Sequence, residues 1–153
     1  MSRKRDAFSL DLFRDYQPEP VVERFADDEV RAWSLAGRLS KAVALTIDDS
    51  GMTREQIAAA MSEISKSNVS KAMLDAYTSQ AKEQNQISAV RLAALVAITG
   101  DARALNVLLE EAGLIAIPKK YEALLKRERA RELRALLERE EQAADAEWRA
   151  KQR

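Results

Sequence analysis

A chain of 153 residues with 46% hydrophobic content suits one ordinary domain plus an appendage. Four Gly, three Pro and only 5% aromatics favour a few long helices packed through small side chains over a β-sandwich. With neither Cys nor His, disulfides, thiolate chemistry, imidazole metal sites and His-dependent triads are excluded, and only an all-carboxylate metal site remains open. Twenty-five basic residues balance twenty-five acidic ones, which argues against coating nucleic acid by bulk charge but not against a site-specific binder with one positive face.

Residues 1–26 read as an N-terminal arm, with Phe8, Leu10, Leu12, Phe13 and Tyr16 scattered among charges and Pro18 and Pro20 favouring extended backbone. A helical domain is expected over 27–117. Its first helix is predicted to start at Asp27 or Asp28, whose carboxylates suit a helix N-terminus. It would run to Ser50 with Ala32, Leu35, Ala36, Leu39, Ala42, Val43 and Thr46 on one stripe, and Gly51 would stop it. Thr53-Arg54-Glu55-Gln56 has the form of a capping box and opens a short helix through Ile57, Ala58 and Met61. After a loop at Ser62–Lys66, another helix is predicted over 67–78, then a polar linker to Gln86. A fourth helix follows from Ile87 to Thr99, and a fifth carries Leu105, Leu108, Leu109 and Ala112 and stops at Gly113. The apolar run Leu114–Ile117 is expected to seal the core before Pro118. From 118 to the end the chain is nearly all Glu, Arg, Lys, Ala and Leu, which predicts one long helix of about 50 Å at 1.5 Å per residue.

Two short helices joined by a tight polar loop, after a longer helix, predict a helix-turn-helix at about 53–78. Its second helix must pack with one face and enter a major groove with the other. Val69, Ala72, Met73 and Ala76 form the expected inward stripe. Ser67, Lys71, Leu74 and Thr78 then face outward, flanked by Asn68, Ser70 and Asp75. Asn suits adenine, Ser and Lys suit phosphate or guanine, and Leu suits a thymine methyl. Ala58 supplies the small residue needed where the two helices cross, while the usual turn glycine is absent and Ser62 stands in its place. An ordinary bundle with a polar surface helix would show the same periodicity.

The order "TREQIAAAMS…SNVSKAM" followed by "ISAVRLAALVAITGDARALNVLLEEAGL" resembles the helix-turn-helix regulators of temperate phages, the CII-type group with a repressor-like domain in particular. There the motif is followed by a helix ending in Thr-Gly-Asp, here Thr99-Gly100-Asp101, and then by a Leu-rich helix, here Leu105, Leu108 and Leu109. The resemblance covers about residues 30–117. It implies phosphate contacts from Thr53, Arg54 and Gln56, and base or phosphate contacts from Asn68, Ser70 and Lys71.

The long C-terminal helix lies outside that resemblance. Residues 119–134 carry seven bases against three acids, and pairs such as Glu122 with Lys126 and Arg134 with Glu138 stand at helical spacing. Dimerisation, docking of a partner protein through 119–153, contact with a DNA backbone and plain solvation are all compatible with this pattern. In the arm, Ser9-Leu10-Asp11-Leu12-Phe13 is similar to the short peptide with which bacterial proteins engage the replication sliding clamp, with Ser where that peptide has Gln. Alternatively Phe8, Leu12 and Phe13 fold back onto the helices.

The expected protein is therefore all-α, with a five-helix repressor-like domain and a long C-terminal helix. It would be a cytoplasmic, sequence-specific regulator that binds double-stranded DNA as a homodimer or higher homo-oligomer, without cofactor, metal or membrane. Two rivals are an accessory factor in phage replication or transposition and a helical adaptor with no DNA role. No Gly-rich phosphate loop or catalytic constellation points to an enzyme.

Overall fold

Hydroxyl caps set where four of the helices begin. Ser34, Thr53, Ser70 and Ser88 each adopt extended backbone and accept the amide three residues on, so each satisfies a donor that the first helical turn leaves unpaired. The computed structural model describes residues 20–79 and 85–152. In chain order these residues form α1 (Leu35–Asp49), α2 (Arg54–Ser65), α3 (Lys71–Tyr77), α4 (Ala89–Thr99), α5 (Arg103–Glu110), a 3-10 turn (Lys119–Tyr121) and α6 (Glu122–Lys151). The described residues are all-helical, with no strand among them. No helix among them is long and apolar enough to cross a membrane.

The core is shared by all five shorter helices. Helix α1 packs on α5 and α3, α2 packs on α4 and α3, and α4 touches α5. Leu39, Val43 and Ile47 of α1 meet Ile57 and Met61 of α2, Leu74 of α3, Leu92 and Leu95 of α4, and Val107 of α5 in one buried cluster. Phe25 and Val30 complete it from the segment before α1. Residue 26 is accordingly no boundary: the end of the expected arm is part of the core. The expectations for Phe8, Leu12 and Phe13 and for the clamp-like peptide lie outside the described residues.

Several expected boundaries shift for identifiable reasons. Helix α1 starts at Leu35 rather than at Asp27 or Asp28, because the acidic cluster closes a turn of its own. The Glu29 amide donates to the Ala26 carbonyl at 3.0 Å, and the Glu29 carboxylate accepts the Ala26 amide at 2.8 Å. Helix α2 runs four residues past Met61. The hydroxyls of Ser62 and Ser65 fold back onto the carbonyls four residues earlier, at 2.8 and 2.7 Å, and do not open a loop. The left-handed residue that ends α2 is Lys66, at φ 51°, so Ser62 is not the stand-in for a turn glycine.

The Thr-Gly-Asp junction is built as a stop and restart. Gly100, at φ 71°, donates to the Val96 carbonyl at 2.8 Å and ends α4 in the left-handed conformation. The Asp101 carboxylate then accepts the Arg103 amide at 2.8 Å where α5 begins. Asp101 also holds the Arg103 guanidinium, which reaches Asp49 of α1 at 2.6 Å and lies 4.1 Å from the centre of the Phe25 ring. At the other end of α5, Gly113 at φ 67° and Leu114 close the helix with bonds to the carbonyls of Glu110 and Leu109.

Helix α5 buries Ala104, Asn106 and Val107, while Leu105 and Leu108 pack at the edge of the core and Ala112 is exposed. The run expected to seal the core does so only at its end, where Ala116 and Ile117 are half-buried. Leu114 and Ile115 are exposed, whereas Ala116 is held by the buried Asn106 side chain. Helix α6 spans about 45 Å at its helical rise, buries no residue and has the 3-10 turn as its main neighbour.

Candidate nucleic-acid interface

The segment from Thr53 to Thr78 forms two helices and a five-residue connection, and a few hydroxyls fix its shape. Ser62 of α2 accepts the Val69 amide at 2.9 Å, and its hydroxyl lies 3.2 Å from the Val69 carbonyl. The connection is thereby pinned against α2 with Val69 buried, leaving Lys66, Ser67 and Asn68 exposed. Ser67 turns back to Ser65, hydroxyl to hydroxyl at 2.9 Å. Ser70 ends the connection as the cap of α3.

Because α3 begins at Lys71 and not at Ser67, the helical register expected over 67–78 does not hold. Val69 is buried from the connection before the helix, and the inward residues of α3 are Leu74 and Tyr77 with Met73 beside them. Leu74, expected to meet a thymine methyl, is fully buried and cannot contact DNA. Ala72, expected inward, is exposed. Periodicity misled because Ser70 is a capping residue, and the residues before a cap do not follow a 3.6-residue period.

Of the other expected site residues, Thr53 and Gln56 form a reciprocal capping box. Thr53 Oγ1 accepts the Gln56 amide at 3.2 Å, and the Thr53 amide donates to Gln56 Oε1 at 2.9 Å. Both side chains are exposed, yet the oxygens that could meet DNA are committed to starting α2. Thr53→Ala is expected to lower the unfolding free energy by about 1 kcal/mol in urea denaturation, as loss of a Thr cap generally does.

Arg54 is half-buried and works as a clasp. Its guanidinium reaches Asp48 at the end of α1 at 3.6 Å, Asp75 of α3 at 3.2 Å and the Thr78 hydroxyl at 3.3 Å. Lys71 reaches Glu55 at 2.7 Å, tying the first residue of α3 to the first turn of α2. The bond from Lys71 holds the Glu55 carboxyl below its ordinary value, and the same bond holds the Lys71 ammonium above its own.

The structure thus gathers Arg54, Asn68, Lys71 and Thr78 around α3, but with three carboxylates, Asp48, Glu55 and Asp75, among the cations. Two side chains not anticipated from the sequence complete the surroundings. Arg91 of α4 donates to the Tyr77 hydroxyl and, at 3.4 Å, to the Asn68 carbonyl, with its guanidinium 5.9 Å from the Tyr77 ring centre. Arg91 and Asn68 stand 23 residues apart, as Lys71 and Glu55 stand 16 apart, and no local pattern announces such partners.

Among the described residues, no group of three or more Asp or Glu side chains is placed to hold a metal ion. Compared with protein-family models, with curated proteins and with solved structures, the chain gives no significant match.

Proposed function

We propose that the protein is a site-specific DNA-binding regulator of phage or prophage type, and that its DNA-facing surface is the connection Lys66–Ser70 together with Lys71. The observation that carries this reading is the exposed Ser67-Asn68 pair, held on a connection that the Ser62–Val69 bonds fix against α2. An exposed side-chain amide on a pinned backbone has only its own rotamers to order on meeting a base edge, and Lys66 and Lys71 on either side supply positive charge for the adjacent phosphates. In this reading Arg54 shapes the unit by joining α1, α2 and α3, and Leu74 supports it from beneath.

The carboxylates set the balance between tight and selective binding. A phosphate oxygen that takes Lys71 must displace Glu55, so non-specific attraction is weakened at this surface. Glu55→Gln is therefore expected to raise affinity for random duplex DNA. Lys71→Ala should lower affinity and flatten its salt dependence, and Asn68→Ala should relax sequence preference.

The decisive measurement is fluorescence anisotropy of the full chain against a random-sequence duplex library, followed by selection of the bound fraction and a salt titration. Enrichment of a sequence that Asn68→Ala no longer selects supports the regulator. Salt-sensitive binding without enrichment replaces it with a nucleoprotein component of replication or transposition. Absence of binding at low salt leaves a second reading, a helical adaptor, which is favoured by the zero net charge and by exposed leucines along α6.

A further inference from the structure

Helix α6 presents a surface that the other described residues do not cover. Leu125, Leu133, Leu136, Leu137 and Trp148 are each more than half exposed. At about 100° per residue these five fall within an arc of about 140°, so they form one face of the helix. The charged residues on that same face are Glu122, Lys126 and Arg129 in the first half and Glu140, Glu147 and Lys151 in the second.

We propose that this face binds a second copy of the same chain, with the two α6 helices antiparallel and centred between Leu136 and Leu137. That point is also the midpoint of the helix, Glu122–Lys151, so the whole of both helices overlaps. In this register Leu136 lies opposite Leu137 of the second copy, Leu125 opposite Trp148, and Ala130 opposite Ala143. Lys126 lies opposite Glu147, and Glu122 opposite Lys151. Within one chain Lys126 already pairs with Glu122 at 2.5 Å and Lys151 with Glu147 at 2.7 Å. Bringing the two pairs together at each end of the dimer makes a square of alternating charge.

The orientation follows from the uneven charge. Residues 119–134 hold seven bases and three acids, whereas 138–148 hold five acids and one base. A parallel pair in register would set Lys126 on Lys126, Arg129 on Arg129 and Glu147 on Glu147, and like charges in contact are unfavourable. Reversing one helix turns each of these contacts into an opposite-charge or neutral one. An isologous interface between two copies also closes on itself, which limits assembly to a dimer.

The chain contains no Cys, so introduced thiols report on the interface alone. The 153-residue chain should sediment as a dimer that dissociates on dilution, and Leu136→Glu/Leu137→Glu should weaken self-association at least about tenfold with the helical circular-dichroism signal unchanged. Under mild oxidation, a mixture of Leu125→Cys and Trp148→Cys chains should give the mixed disulfide, with little of either self-linked product. A monomer at all concentrations, a dimer untouched by the two Glu substitutions, or preferred self-linking of Leu125→Cys would each overturn the proposal.

Discussion

Leu74→Ala is expected to lower the unfolding free energy by about 2–5 kcal/mol, the range found when a buried leucine is truncated and its cavity only partly collapses. Leu74 is fully buried beneath α3, in the cluster that joins α1, α2 and α4. Urea denaturation measures the loss, and the slope of the transition should be retained if the native fold is otherwise kept. The outcome separates two registers for this segment. With a helix starting at Ser67, Leu74 would face solvent, and its truncation would change stability by no more than about 0.5 kcal/mol. With the helix starting at Lys71, the same substitution weakens the support of the whole connection, and any loss of DNA binding would follow from unfolding. A variant that binds poorly while remaining as stable as the parent would refute the second register.

Asp101→Asn should produce the next largest effect. The Asp101 side chain is 14% exposed and accepts from Arg103 through Nε, Nη2 and the backbone amide, while Arg103 extends to Asp49 of α1. Loss of charge-assisted bonds of this kind costs about 1.5–3 kcal/mol at neutral pH. Burial pushes the Asp101 carboxyl up, but the hydrogen bonds and charge of Arg103 outweigh it and hold the carboxyl below its ordinary value of 3.8. A carboxyl lowered in the folded state binds protons more weakly there than in the unfolded chain. Its contribution to stability is therefore full well above 3.8 and is lost as pH falls through that value to the lower native one. Urea midpoints measured from neutral pH down into the acid range should fall less steeply for Asp101→Asn than for the parent. Parallel curves would show that the bond network contributes no pH-dependent stability.

The parts of the fold legible from sequence are those written in local chemistry. The capping box at Thr53–Gln56, the stops at Gly51, Gly100 and Gly113, and the long helix after Pro118 each rest on residues within a turn of one another. The errors arose where a local signal had two uses. Asp27 and Asp28 look like the start of a helix, but Glu29 closes a turn around them. Ser70 looks like a surface residue of a helix but begins one, and the displaced register carried Leu74 from the core to the supposed interface. The partners of Arg54, Lys71, Arg91 and Arg103 were not legible because each lies in another element, and charge spacing along a chain says nothing about such pairs.

Asn106 has a consequence beyond satisfying its own buried amide. Its nitrogen donates to the Glu23 carbonyl at 3.0 Å and the Ala116 carbonyl at 3.3 Å, and its oxygen accepts the Ala116 amide at 2.6 Å. The backbone where the chain enters the five-helix unit and the backbone where it leaves are thus fastened to one side chain. A unit closed in this way has its two ends side by side, which is the geometry that insertion and circular permutation require. It could be spliced whole into a surface loop of a host protein, or have Glu23 and Ala116 bridged and new ends opened elsewhere, without stretching any part of its core.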